Sequence, residues 1–401
     1  MSGERIEPAP TEVAARGFFR DLTVASIASG LVAFLFAASG PVVVILATGT
    51  KGGLSEADLA SWLFGAFFIN GLISIAFCFA YRQPLAFFWT IPGTVLVGPA
   101  LGHLTLGEVI AAFIATGVLM LVLGATGWVR RAMQAFPMPI VMGMVAGVFL
   151  QFGLDWVRAF QSDPVIAMAM TAAFLLAGAA PAAVSGRLPP LIVALIAGAG
   201  VIAANGTFAP GLDQVPLLAE PRLHLPELSW TALVELVVLV QNGQGIAVLT
   251  AAGHTPPINA IAVACGAGSI VCAFVGCVST CLTGPVNAII SSGSRKHSQY
   301  TAGIIVGALA LGFGALSPLF TRLLLAAPPA FIATLAGLAM LRVLQSAFAI
   351  GFQGRCALGA LVTFLVTVAG IPILNIGAPF WALIAGAAVS LVMERDDWRE
   401  R

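Results

Sequence analysis

From Thr23 to Thr48 the chain runs 26 residues without a charged side chain, and comparable apolar runs recur almost to the C-terminus. A helix crossing a bilayer needs about 20 such residues, with about 17 to 25 tolerated. Runs of that kind lie near 22–48, 59–81, 106–127, 137–157, 164–181, 188–204, 229–252, 257–275, 298–317, 327–346, 354–370 and 373–393. Two further stretches, 85–103 and 276–293, are interrupted by Pro92-Gly93 and Gly284-Pro285. Irregular backbone at membrane depth is tolerated where it lines a cavity or is buried in protein, so both are read as discontinuous spans. The expectation is an all-α polytopic membrane protein of fourteen segments, with segments 3 and 10 built as half-helices.

Composition excludes the alternatives. Only 9% of the 401 residues are charged, against roughly 25% in soluble domains. Eighteen basic and 17 acidic side chains cannot coat a soluble surface, and a net charge of +1 argues against a nucleic-acid partner. No HExxH, GxSxG or Walker A pattern is present, so neither an enzyme, a cofactor nor a metal is expected. The six cysteines (Cys78, Cys265, Cys272, Cys277, Cys281 and Cys356) form no C-x-x-C pair and read as buried small hydrophobes.

Charge also sets orientation. With fourteen spans and a cytosolic N-terminal tail (1–20), fourteen of the 18 Lys and Arg fall inside; Lys51, Arg158, Arg222 and Arg322 fall outside. Both termini, including the tail 394–401, are then cytosolic. The first apolar run is too long for a signal-peptide h-region.

The chain repeats itself at an offset of about 190 residues. Gly124-Ala125 matches Gly314-Ala315, Pro139 matches Pro329, and Ala146-Gly147 matches Ala336-Gly337. Thr90-Ile91-Pro92 pairs with Thr283-Gly284-Pro285, and the Gly40 region resembles that of Gly243 and Gly245. Seven spans per half is an odd number, so the halves are inverted. Inverted repeats with a discontinuous helix in each point to a secondary transporter whose site lies where the breaks meet.

Each break carries the grammar of a helix start. Proline suits the first turn and the preceding threonine can cap. The residues before, Ala86 to Thr90 and Cys277 to Leu282, are β-prone and extended. Two helix N-termini facing one another suit an anion or a polar acceptor. In the run 229–252, Gln241 and Gln244 share a face and read as substrate-side, while Asn242 reads equally as substrate contact or helix–helix bond. Glu235 is the one embedded acid, a candidate for proton coupling or a partner for a neighbouring helix. Asn287 is placed either at the site or against span 8, and Phe87, Phe88 and Trp89 either pack or wall a flat ligand.

Several tracts resemble the benzoate/proton symporter (BenE) family. They are Ala60-Ser61-Trp62-Leu63, Tyr81-Arg82-Gln83-Pro84, Trp89-Thr90-Ile91-Pro92-Gly93, Gln241-Asn242 with Gly245-Ile246-Ala247-Val248-Leu249, Phe364-Leu365-Val366-Thr367 and Phe380-Trp381. At the first break the family usually reads Ser-Thr-Pro-Gly where this chain has Thr90-Ile91-Pro92-Gly93. The resemblance implies a fold shared with nucleobase and sulfate-type transporters. It implies a core domain (spans 1–4, 21–127; spans 8–11, 229–317) and a gate domain (spans 5–7, 128–204; spans 12–14, 318–393), joined by a linker at 205–228. It further implies proton-driven uptake, an inner-membrane location and, as in related families, a homodimer. Carried over by position, the site is Ser39, Gly40, Thr90, Ile91, Pro92, Gly93, Thr94, Gln241, Gln244, Thr280, Thr283, Gly284 and Asn287. The cargo expected is a small organic anion such as benzoate or a related aromatic carboxylate, with protons; the alternatives are a nucleobase or other heterocycle, or an anion channel.

Overall fold

The computed structural model describes residues 6–9, 17–129, 137–179, 190–206, 211, 215–236, 242–291, 295–371, 373 and 378–399. It is an all-helical polytopic membrane protein. Six helical stretches are long and apolar enough to cross a bilayer, and six shorter apolar helices accompany them among the described residues.

Thr23 opens α1 (Val24–Ala38) with a reciprocal cap: its hydroxyl accepts from the Ser26 amide at 3.1 Å, and the Ser26 hydroxyl accepts from its amide at 3.0 Å. The apolar run 22–48, expected as one helix, is not continuous. At Ser39 the backbone turns to φ −96°, ψ −95°, and α2 (Gly40–Lys51) restarts on Pro41, which has no N–H to join to the preceding turn. Next come α3 (Glu56–Phe64) and α4 (Asn70–Tyr81), joined through a π-turn at Gly65–Ile69. β1 (Phe87–Trp89) leads into α5 (Ile91–Ala100), followed by α6 (Leu106–Thr126), α7 (Met138–Ser162), α8 (Pro164–Ala179) and α9 (Pro190–Ala204).

The second half contains α10 (Trp230–Leu236), α11 (Gly243–Ala251), α12 (Ile258–Phe274), β2 (Thr280–Leu282), α13 (Gly284–Ile290) and α14 (Gln299–Ala315). α15 (Ser317–Leu325), α16 (Pro329–Phe352), α17 (Ala357–Ala369), α18 (Ala378–Met393) and the short α19 (Arg395–Arg399) follow. α15 was not expected as a separate helix; it packs on α3, where Arg322 reaches Glu56 at 2.8 Å. α7 and α16 run past the ends of the apolar runs 137–157 and 327–346, to Ser162 and Phe352, with Arg158 and Gln161 carried on the added turn of α7.

Two large apolar clusters form most of the interior, with a third around Phe87, Leu282 and Tyr300 and a small fourth around Ala159 and Ala167. One joins α1, α2, α3, β1, α5, α6, α13 and α14, with Phe67 at its centre: its ring lies 4.4 Å from Phe313 and 5.0 Å from Trp89 between centroids. The other is made mainly by α7, α8, α9 and α16, around Phe149, Met170, Leu191 and Leu335. Val43 and Val44 of α2 and Val95 of α5 belong to the second cluster, so the two groups meet along α2 and α5. All six cysteines are buried with free thiols.

Candidate functional site

The extended residues before each break form a two-stranded antiparallel sheet. Phe87 pairs with Leu282, Phe88 with Cys281 and Trp89 with Thr280. Beyond the strands the pairing continues symmetrically. The Thr90 amide donates to the Ser279 carbonyl at 3.1 Å, and the Thr283 amide donates to the Ala86 carbonyl at 3.3 Å. Thr90 and Thr283 thus occupy equivalent places in the two halves, as their sequence motifs do.

A two-stranded sheet inside a membrane leaves two outer edges of backbone that water cannot reach. Side chains supply the partners. The Ser74 hydroxyl accepts from the Phe87 amide at 2.8 Å and the Ser269 hydroxyl from the Thr280 amide at 3.0 Å. Asn242 Oδ1 accepts from the Leu282 amide at 2.8 Å. Asn287 accepts from the Ala86 amide through Oδ1 and donates to the Ala86 carbonyl through Nδ2, both at 2.9 Å. Its Nδ2 also donates to the Thr283 carbonyl at 2.6 Å. Asn287 therefore spends both ends of its amide on backbone and is fully buried, on a half-helix that packs against Gly243–Ala251 of span 8.

The half-helices differ at their starts. Thr90 caps α5: its hydroxyl accepts from the Gly93 amide at 3.1 Å, and Thr94 donates its hydroxyl to the Thr90 carbonyl at 2.8 Å. Gly93 leaves room for that cap, since a Cβ there would meet Thr90 Cγ2 at 2.5 Å. α13 has no such side-chain cap, and the Thr283 hydroxyl is buried without a partner among the described residues.

Between the two starts is a cavity of about 30 Å³, room for about one water molecule. Phe36, Ala37 and Pro41 wall it from the α1–α2 break; Phe88, Trp89 and Ile91 from the first half-helix; Thr283, Pro285 and Val286 from the second. The indole Nε1 of Trp89 is also buried and unpartnered among the described residues. The cavity surface itself is wholly apolar, so the two donors, Thr283 Oγ1 and Trp89 Nε1, lie buried behind its wall. An aromatic ring fits only if the walls part.

The expected site residues distribute as follows. Ile91 and Thr283 line the cavity, and Pro92, Gly93 and Thr94 form the first turns of α5 beside it. Thr280 points away, its hydroxyl donating to Asn70 Oδ1 at 2.8 Å. Ser39 is buried at the break with its hydroxyl on the Phe36 carbonyl at 3.0 Å. Gly40 faces the second cluster, where a Cβ would stand 2.2 Å from Ala339 Cβ. Gln244 is exposed and lies against Gly284, whose missing side chain makes its room: a Cβ there would come within 2.5 Å of Gln244 Cγ. Gln241 lies outside the described residues. Glu235 is bound to His103, Oε2 to Nε2 at 2.9 Å. The sequence reading missed Phe36, Ala37 and Pro41, although Ser39-Gly40-Pro41 repeats the hydroxyl-x-Pro pattern of the two recognised breaks.

The model of the BenE family, "Benzoate membrane transport protein", matches residues 20–392. The chain belongs to the BenE family. Membership makes it a membrane transporter by family and not an enzyme. The benzoate membrane transport protein of Acinetobacter baylyi is 28% identical over 392 residues, covering 93% of this chain and 96% of that one. The inner membrane protein YdcO of Escherichia coli is 29% identical over 379 residues, covering 92% and 95%. Among solved structures, the transmembrane domain of a cyanobacterial bicarbonate transporter, BicA, superposes with a TM-score of 0.56 at 17% identity, covering 92% of this chain and 98% of that one. The murine Solute Carrier 26 family member A9 anion transporter, in its inward-facing state, gives 0.59 at 13% identity, covering 98% and 73%. At those identities the likeness is one of fold, and BenE shares it with anion transporters.

Proposed function

We propose that this BenE protein is a secondary active transporter that imports a small organic anion, benzoate or a related aromatic carboxylate, together with protons by alternating access. The observation that carries the reading is the pair of unpartnered donors, Thr283 Oγ1 and Trp89 Nε1, on residues that line an apolar cavity at the start of two half-helices. Once the walls part and uncover them, a carboxylate would accept from both donors and from the positive end of α5, while its ring meets Phe36, Phe88 and Ile91. No arginine is needed, because fixed dipoles offset the desolvation of the anion. Gln244, and Gln241 in the preceding segment, would contact the substrate as the cavity opens.

The wider arrangement is proposed on the same basis. Fourteen segments form two inverted sets of seven in the inner membrane, with both termini cytosolic. A core (spans 1–4 and 8–11) carries the site and moves against a gate (spans 5–7 and 12–14), in a homodimer. The symmetric bonds of Thr90 and Thr283 and the meeting of the two clusters along α2 and α5 support this.

The test is counterflow in proteoliposomes loaded with unlabelled cargo. Exchange of labelled benzoate, inhibited by substituted benzoates, is expected. Exchange of uracil alone would replace the cargo with a nucleobase, and non-saturating flux would mark a channel.

A further inference from the structure

A second cavity, of about 420 Å³, shares no wall residue with the one between the half-helices. Three turns line it: residues 82–83 after α4, 253–255 between α11 and α12, and 296–297 just before α14. The stretches Glu56–Tyr81 and Lys296–Ala315, each long and apolar enough to cross a bilayer, end and begin at its rim. That places the cavity at a membrane–water boundary, the depth of lipid headgroups. The turns are fastened to their surroundings by side-chain amides. Gln83 donates its Nε2 to the Thr255 carbonyl at 3.0 Å. Gln299 donates its Nε2 to the Ser291 carbonyl at 2.6 Å, which turns its Oε1 to the buried His254, 2.6 Å from Nε2. The His254 Nε2 therefore carries the proton in that bond, and only Nδ1 is left for a ligand. Lys296 Nζ comes close to the middle turn: a Cβ built on Gly253, at φ +83°, would stand 3.6 Å from it.

The lining is basic and contains no acid: Arg82, His254, Lys296 and His297 contribute to it. Arg82 is held by Asp21 at 3.4 Å, with its guanidinium 4.6 Å from the centre of the Tyr300 ring. Asp21 offsets that charge, whereas Lys296 is exposed and forms no ion pair among the described residues. No Ala, Val, Leu, Ile, Phe or Trp lines the cavity, so it offers an aromatic ring no apolar wall. Clustered N–H donors of positive charge suit a compact oxyanion instead. We propose that this cavity binds an anionic phosphate group, carried by a lipid headgroup or free in solution, with Lys296 as its principal counter-charge. Basic pockets between spanning helices take lipid phosphates in this way. A phosphate bridging Arg82 and Lys296 ties the turn that leads into β1 to the start of α14.

The experiment reads the melting temperature of the purified full chain, as wild type, Lys296→Gln and Lys296→Arg. One arm titrates inorganic phosphate in non-ionic detergent against sodium chloride of equal ionic strength. The other compares nanodiscs of phosphatidylcholine with and without phosphatidylglycerol. In wild type at least one arm is expected to raise the melting temperature above its control. In Lys296→Gln the half-saturating phosphate concentration is expected to rise at least about tenfold, or the lipid-induced shift to vanish, the loss of one charge-assisted hydrogen bond. Lys296→Arg, which keeps the charge, is expected to respond. A shift with inorganic phosphate identifies a free anion, and a shift with phosphatidylglycerol alone a lipid headgroup; either supports the proposal. No shift in either arm would overturn it, as would equal shifts in wild type and Lys296→Gln.

Discussion

Ser74 and Ser269 make the same bond in opposite halves of the protein: each hydroxyl accepts from the first amide of a strand, Phe87 at 2.8 Å and Thr280 at 3.0 Å. Both serines are fully or almost fully buried, so neither strand amide has water to turn to. The two breaks therefore share an individual hydrogen bond as well as a motif.

Replacing either serine by alanine leaves a buried strand N–H unpaired. Each substitution is expected to cost about 1–3 kcal/mol, read as a lower apparent melting temperature in detergent. Equal stability in Ser74→Ala and wild type would show that the edge amide finds another partner.

Asn287 and Thr283 are adjacent to the same break and separate structure from recognition. Asn287→Ala removes three bonds to backbone and is expected to destabilise the protein by at least about 2 kcal/mol. Thr283→Val keeps the shape and discards a hydroxyl with no partner among the described residues. It is expected to leave the melting temperature unchanged and to raise the apparent KM for benzoate about tenfold, the loss of roughly one charge-assisted hydrogen bond. Unchanged KM would remove Thr283 from the binding site.

Gly40 tests the contact between the two apolar clusters. Its Cβ would stand 2.2 Å from Ala339 Cβ and 2.8 Å from Leu191 Cδ2, a gap no side chain occupies without displacing a helix. Gly40→Ala is expected to slow transport severalfold, and Ala339→Gly in the same chain to restore most of it. Absence of rescue would place the effect in the backbone at Gly40 itself.

Two carboxylates outside the apolar runs cap helices. Glu7 accepts from the Asn259 amide at 3.0 Å and the Ala260 amide at 3.1 Å, at the start of α12. Glu394 does the same for Leu358 and Gly359 at the start of α17, at 2.8 and 3.0 Å. Substituting either with alanine is expected to cost about 0.5–2 kcal/mol, measured by thermal unfolding.

Much of this was legible from local chemistry. Pro92 and Pro285 cannot lie mid-helix without breaking it, and the residues before them are β-prone, so both half-helices and both strands followed from the sequence. The break at Ser39 carried the same signal in Ser39-Gly40-Pro41, but an uninterrupted apolar run concealed it. What sequence spacing cannot reveal is which distant group a polar side chain meets. Asn242 and Asn287 each read as either a substrate contact or a bond to another helix, and both hold strand edges contributed by other segments. Glu235 was visible as an embedded acid, but its partner His103 lies in the other half of the chain.

The central claim is that an aromatic carboxylate is recognised by the unpartnered donors behind the wall of the apolar cavity and accumulated by protons. Initial uptake of labelled benzoate into proteoliposomes under an inside-alkaline gradient tests it most directly. The account predicts saturable accumulation that a protonophore abolishes and unlabelled benzoate, not uracil, competes away. Uptake of uracil but not benzoate, or flux that neither saturates nor responds to the gradient, would contradict it.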